Sequence, residues 1–442
     1  MNVKIIANGF VTLITKRFAG PFWVRRKQLV KTQWLSSKKL QELQLTLLKR
    51  LIHHCYHTVP YYKKLMNDRG IKVEDIKTLD DIKQFPILTK KDVLQAGKSI
   101  VSTKYPTWMT RMSYTGGTTG TPMLIWRDLI SVGNHHAFFR RQMDWAGIGM
   151  RDKMAILTGR LIVKPDKKNV RLYAYDPFMK ELILSTYHLS KDTAKGYAEV
   201  IRRHNIKAID GYPSAVYLLA KTCLDSGIEL KLRSALTSSE TLTESMRNTI
   251  SQAFKCRVYD YYGSAERTCI IHTCEHGSYH VIPEYGLTEL IPVDDSADGR
   301  CRVISTGFWN MAMPLIRYDM GDILWKSDKD CSCGRAYPVI KSISGRKGDV
   351  IRTPSGREFG AAILTHLLYG TNHMLESQII QDALDHLIIE YVPTEKFSNK
   401  DVDDFKGLLA KHLPSELRVD MRQVEAVKRT SNGKIKPVVS QL

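Results

Sequence analysis

The chain has 442 residues, 43% of them hydrophobic and 25% charged, and carries a formal net charge of +21. Such a length holds more than one domain, and the composition excludes disordered and collagen-like classes. No apolar run reaches the roughly 18 residues that span a bilayer, and the excess charge favours anionic partners such as nucleotides, acidic lipids and anionic sugars.

The basic residues run from Lys4 to Lys436 without arginine-rich tracts or aromatic-interleaved stripes, so no specific nucleic-acid partner is expected. The first thirty residues are basic and moderately apolar, with no long uncharged core and no small-residue cleavage site; a cytoplasmic protein is expected. Phe10, Phe18, Phe22 and Trp23 among lysines and arginines suit either a packed arm or a peripheral contact with an anionic membrane surface.

Ser36 and Ser37 precede apolar residues at Leu40, Leu43, Leu47, Leu51 and Cys55, a spacing that predicts an amphipathic helix over 38–57. Its His53, His54 and His57 have no acidic or cysteine neighbours in sequence and read as surface or packing residues. Pro60 and Pro86 then break the chain into turns and a short helix.

The segment SYTGGTTGTP, 113–122, concentrates glycines and hydroxyls. Gly116, Gly117 and Gly120 admit close backbone approach, and Thr115, Thr118 and Thr119 add donors for phosphate oxygens. It is not a Walker loop, because Thr121 stands where the lysine belongs.

From about 150 to 340, strand-like runs (KMAILT, IKAIDGYPS, CRVYDYY) alternate with helix-like ones (SAVYLLAKTCLDSG, TESMRNTISQAF), which predicts an α/β fold with covered sheets. DYYGSAE, 260–266, sets an aromatic, a glycine and a carboxylate at a strand end; RYDMGD, 317–322, offers a carboxylate after a tight turn. CEHGSYH and CSCG supply Cys274, His280, Cys331 and Cys333, a Cys₃His set suited to tetrahedral zinc, with Cys269, His272 and His276 as rival ligands. SGRKGD, 344–349, shifts the composition toward Gly and Arg, marking a hinge. Beyond it one strand (HLIIEYVP), one helix (DVDDFKGLLAKHL) and a basic tail with RTSNGKIKP, 429–437, predict a small α/β domain.

Five motifs in this order, over nearly the whole chain, resemble the adenylate-forming superfamily of acyl-CoA synthetases, and within it the phenylacetate-CoA ligase branch with its relatives in capsule biosynthesis. LLKRLIHHCYHTVPYYKKL, LDDIKQFPILTKKDV and PLIRYDMGD carry the branch likeness. The resemblance implies a large N-terminal domain with multiple sheets, 1–345, largely helical over 1–95, and a small mobile C-terminal domain, 346–442, hinged near 345–349. It also implies that a carboxylate attacks the α-phosphate of ATP, and that a thiol or amine then displaces AMP.

On that resemblance Thr115 to Gly120 hold phosphates, Glu266 holds Mg²⁺, and Tyr262 stacks on adenine within the Tyr262-Gly263-Ser264 turn. Asp260 accepts from the adenine amine beside Ser239 and Glu240, and Asp322 accepts from the ribose hydroxyls. Arg346 lies near ribose and phosphate, and Lys434 stabilises the charge that develops at the α-phosphate. Some relatives in the branch carry a structural zinc at the cysteine set. The sequence departs from the family at Thr121, at Ala265, where a threonine is common, at Ser239-Glu240, which replaces Gly-Glu, and at Gly348, where an acidic residue is expected. These departures put rate and second-step chemistry in question.

The implied product is a thioester with coenzyme A. Two alternatives stand beside it: amide formation between a carboxylate and an amine, for example on a glycan intermediate of capsule or O-antigen, and a non-catalytic nucleotide-binding relative. GYPSAVY, 211–217, and the segment around His135 and His136 are expected to line part of the acid pocket, and a homodimer is common in the branch.

Overall fold

The computed structural model describes residues 3–18, 20–114, 123–160, 162, 171–293, 299–346, 350–355, 358–360, 368, 373–413, 415–430 and 433–442. The fold is α/β, with a large multi-sheet N-terminal part and a small C-terminal α/β part. By internal contacts it divides into two compact units, one mainly Gly147–Asp260 with Ser344–Leu442, the other mainly Ala7–Ala146 with Tyr261–Ile343.

In the first unit, the strands Met154–Leu157, Ala208–Gly211 and Ser234–Ser238 pair in parallel, with Glu181–Leu184 on the other side of Met154–Leu157. Their near-continuous burial fits strands covered on both faces. The helices Lys191–Arg203, Pro213–Asp225 and Glu244–Phe254 connect them, the last capped by Thr243 Oγ1, which accepts from Met246 N at 3.1 Å.

The C-terminal segment forms its own sheet, ordered Arg418–Gln423, His386–Pro393, Met374–Ala383, Val438–Ser440, with the helix Asn399–His412. Ile379, Leu387, Ile389, Phe405 and Leu409 join the same core cluster as Ala155, Ile209 and Leu219. The sequence predicts one strand in this segment; this sheet has four, and Val350–Arg352 pairs with Glu358–Gly360 in a further two-stranded sheet among the described residues. Met374–Ala383 escapes the alternation test because it buries polar Glu376, Ser377, Gln378 and Gln381, which pair with distant partners: Arg429 with Glu376, and Lys436 O with Gln378 Nε2.

In the second unit the predicted amphipathic helix spans Ser37–Thr58, capped by Ser36, and buries Leu40, Leu47, Leu51 and Cys55. It packs on the helix Pro60–Arg69, and in the same unit the helices Phe22–Thr32 and Leu129–Trp145 pack on each other. The alternation of strands and helices expected to about 340 stops at Phe254. From Arg257 to Arg346 successive strands follow one another with no helix among the described residues, because short turns join antiparallel neighbours such as Ile270–Thr273 with Tyr279–Val281. Arg141 and Glu284, each 2% exposed, form a buried ion pair at 2.9 Å, with Tyr337 bonded to both.

Candidate active site and metal centre

In the first unit, the strand Ser234–Ser238 delivers the chain to Ser239, whose φ of 74° turns it sharply, and to Glu240. Glu240 accepts from Ser214 N at 3.0 Å and from Ile435 N at 3.2 Å. Burial raises its pKa, opposed by the bond from Ser214 and the nearby charge of Lys434. Lys434 Nζ donates to Ser239 O at 3.1 Å and lies 5.3 Å from the Tyr212 ring centroid. Gly433, at φ +73°, makes this possible: a Cβ there would come within 2.8 Å of Thr186 Oγ1. A lysine from the C-terminal segment is thus seated on a turn 195 residues earlier in the chain. Asp260 is buried on the strand Arg257–Gly263, its Oδ1 accepting from Thr237 Oγ1 at 2.6 Å.

In the second unit, Tyr262 donates its hydroxyl to Asp322 Oδ2 at 2.6 Å. Burial and the Asp322 charge hold the Tyr262 hydroxyl well above its usual pKa. Gly263 and Ser264 follow it, and the Ser264 hydroxyl faces Met320 Sδ at 3.9 Å. Glu266 is 7% exposed; its Oε1 accepts from Tyr318 OH at 3.2 Å, while its Oε2 is buried with no partner among the described residues. A buried carboxylate oxygen without a donor is costly unless a cation meets it, so this atom fits a Mg²⁺ ligand.

Thr115, Gly116, Gly117, Thr118, Thr119, Gly120 and Thr121 lie outside the described residues, as does Gly348. The strands Thr110–Tyr114 and Leu124–Asp128 that bracket the glycine loop pair antiparallel. Arg346 ends the strand Val339–Arg346, and its side chain is outside the described residues. Of the residues expected to face the acid, Tyr217 is 4% exposed in the core, and Tyr212 OH accepts from Gly159 N at 3.0 Å. His135 Nδ1 bonds Tyr285 OH at 2.8 Å.

Two arginines that the sequence reading missed flank Glu266. Arg127 Nη2 donates to Ala265 O, and its Nε is buried without a partner among the described residues. Arg267 adopts φ 57°, and its Nη1 is likewise buried without a partner among them. Burial, then the charge of Arg267, push the Arg127 guanidinium down to about 10. The only advance signal was the position of Arg267 directly after the glutamate; Arg127 had none.

The cysteine set is brought together: the ligand atoms of Cys274, His280, Cys331 and Cys333 lie within 4.8 Å of one another. Cys274 and Cys331 Sγ are 3.6 Å apart, and Cys333 Sγ is 3.4 Å from His280 Nε2. A tetrahedron with Zn–S near 2.3 Å has S–S edges of roughly 3.8 Å, so the donors suit zinc. His280 Nδ1 faces Tyr337 O at 3.4 Å, leaving Nε2 for a metal, and burial drops its pKa to about 4, keeping the ring neutral. The rivals are elsewhere: His276 Nδ1 bonds Ser332 Oγ at 2.8 Å, Cys269 accepts from Thr288, and His272 packs against Trp145 and Tyr261.

A family model described as the CapK C-terminal domain matches residues 351–441. Protein CapK of Staphylococcus aureus is 26% identical over 383 residues, covering 86% of this chain and 82% of that one. Phenylacetate-coenzyme A ligase of Thermus thermophilus is 23% identical over 337 residues, 72% of each chain. Among solved structures, a 2-hydroxyisobutyryl-CoA ligase in the postadenylation state in complex with R3-HIB-AMP superposes with a TM-score of 0.70 at 16% identity, covering 92% of this chain and 91% of that one.

Proposed function

We propose that this chain, a relative of CapK and of the phenylacetate-CoA ligases with the adenylate-forming fold, is an AMP-forming ligase that activates a carboxylic acid with ATP and passes the acyl group to coenzyme A. The observation that carries the reading is the seat of Lys434 on the Ser239-Glu240 turn. An ammonium held there meets the α-phosphate as the acid's oxygen bonds to phosphorus and the bond to pyrophosphate breaks. In the second step the thiol sulfur bonds to the acyl carbon and AMP departs. Asp322, already accepting one hydroxyl from Tyr262, is assigned the ribose, Tyr262 the adenine, Asp260 its amine, and Arg346 the phosphate side. Glu266 is assigned Mg²⁺, which neutralises phosphate charge when bound. Cys274, His280, Cys331 and Cys333 are assigned a structural zinc.

We take residues 346–442 as the mobile domain, hinged near 345–349. The test is acid-dependent release of pyrophosphate from ATP and Mg²⁺ across aryl, fatty, amino and uronic acids. Release with at least one acid, followed by thioester formation on adding coenzyme A, is the expected result; silence across the panel despite ATP binding favours the non-catalytic alternative.

Arg127 and Arg267 narrow the acid. Two withdrawn guanidiniums with idle nitrogens beside Glu266 suit a substrate bearing a second anionic group, such as a dicarboxylic or uronic acid. Arg267→Met is expected to lower kcat/KM for such acids by about 10- to 100-fold while sparing neutral ones, the loss of one charge-assisted contact. Equal losses for both classes would assign Arg267 to the fold instead.

An amine acceptor on an anionic, membrane-associated glycan is the second reading. Phe10, Phe18, Trp23 and Val24 are 46–62% exposed beside Arg26 and Lys27. No described helix is long and apolar enough to cross a membrane, so such an association would be peripheral.

A further inference from the structure

A cavity of about 460 Å³ in the second unit is lined by Arg25, Arg50, Lys104 and the three histidines His53, His54 and His57. None of these residues belongs to the adenylation chemistry, and the volume is that of a small-molecule site. The Arg25 and Arg50 guanidinium carbons lie 3.7 and 4.9 Å from the centroid of the Trp309 ring, so both cations are held against one aromatic wall.

Like charges gathered this closely repel. Burial first, and then the Arg50 charge, push Arg25 down to about 10. Among the described residues neither arginine forms an ion pair: Arg25 donates to Asn134 Oδ1 and Gln28 Oε1, and Arg50 to Phe308 O. Two carboxylates border the cations. Asp128, on the cavity wall, accepts from the backbone N–H groups of Ser131, Met311 and Ala312. Glu284 is ion-paired with Arg141 through Oε1, its Oε2 is buried with no hydrogen-bond partner among the described residues, and its charge offsets part of the depression of Arg25. His54 Nε2 bonds Met311 O at 2.8 Å, which leaves the exposed His53 and His57 at the cavity.

A second cavity of about 360 Å³ shares Arg25, Arg50 and Trp309 and adds Leu29, Leu43 and Leu47, with Gln28, Thr32 and Glu284 as its polar lining. The cationic pocket therefore has an apolar annex along the helices Phe22–Thr32 and Ser37–Thr58.

We propose that this pocket is a second ligand site, separate from the adenylation residues, that binds a phosphate group through Arg25, Arg50 and Lys104. Two guanidiniums and an ammonium match the charge and bidentate geometry of a phosphate better than a single carboxylate. The phosphate belongs to a soluble metabolite or to a lipid, in which case the leucine wall of the annex takes the attached apolar chain.

The test is calorimetric titration of the full chain with inorganic pyrophosphate, with a saturating non-hydrolysable ATP analogue present to occupy the nucleotide site. Sedimentation with phosphatidylglycerol vesicles, against phosphatidylcholine vesicles, forms the lipid arm. At least one probe is expected to bind. The Arg25→Gln/Arg50→Gln double variant should bind it about 10- to 100-fold more weakly at unchanged affinity for the ATP analogue. Binding of pyrophosphate identifies a soluble source, and binding of phosphatidylglycerol alone a lipid one. The Arg25→Lys/Arg50→Lys variant, which keeps the charge, should retain more affinity than the Gln pair and so separates ligand loss from misfolding. Failure of both probes to bind the native chain, or equal binding by the Gln variant, overturns the proposal.

Discussion

Lys434→Ala is expected to slow acid-dependent pyrophosphate release by about 10²- to 10³-fold or more while changing ATP affinity less than about threefold, the signature of a group that acts on charge present only in the transition state. The expectation follows from how Lys434 is held. Its backbone sits in a tight turn, with Thr430 N donating to Lys434 O at 2.8 Å and Gly433 N to Thr430 O at 2.8 Å. Its ammonium spends one donor on Ser239 O, while Ile435 N ties the next residue to Glu240.

The bond to Ser239 O fixes the position of the ammonium, so its charge is in place before charge develops on the phosphate. Ground-state binding of the nucleotide is assigned to other residues, among them Asp322, Tyr262 and Asp260, so titration of ATP binding should register little change. A loss of ATP affinity as large as the loss of rate would move Lys434 from transition-state stabilisation to plain substrate binding. Unchanged turnover would remove the lysine from the chemistry altogether.

How much of this was legible beforehand depends on whether a residue's meaning is local. The helix Ser37–Thr58 could be read because its buried leucines recur at helical spacing and its cap precedes them. The strand Met374–Ala383 could not, since its buried Glu376 pairs with Arg429, a partner 53 residues away whose existence no local pattern announces. The same distinction runs through the sites. Cys274, His280, Cys331 and Cys333 could be grouped by residue type, because thiol and imidazole are specialised ligands.

Arg127 and Arg267 were invisible as a pair: arginine is common, and only the burial of their idle nitrogens separates them from surface charge. The three histidines are surface or packing residues, as their sequence setting predicts, with His54 bonded to Met311 O. His53 and His57 are exposed, as expected, yet they border a cationic cavity whose other walls come from the distant residues Lys104 and Trp309.

About one zinc per chain is the expected result of elemental analysis of protein purified without chelator, falling below about 0.2 in Cys333→Ser. The donors come from two separate stretches. Cys274 closes a turn in which its N–H donates to Ser278 O at 3.0 Å, and His280 follows on the strand Tyr279–Val281; Cys331 and Cys333 arrive some fifty residues later. A metal joining them fixes a long loop, which is where a cross-link contributes most.

Without it the site is poorly balanced. Burial pushes the Cys274 thiol up to about 12, so at neutral pH the thiolate forms only when a cation compensates. Cys274 and Cys331 are not joined by a disulfide: both are free thiols, with Sγ atoms 3.6 Å apart. Loss of the metal should cost on the order of 3 kcal/mol, seen as a Tm lower by about 6–12 °C for a unit of this size. Cys223→Ser, at a buried cysteine outside the set, should keep the zinc and thereby separate ligand loss from a general packing defect. Because four protein ligands leave no open position for water, adenylation per folded molecule should survive metal loss below the lowered Tm. A native chain that carries no zinc, or a Cys333→Ser variant that keeps it, would refute the assignment.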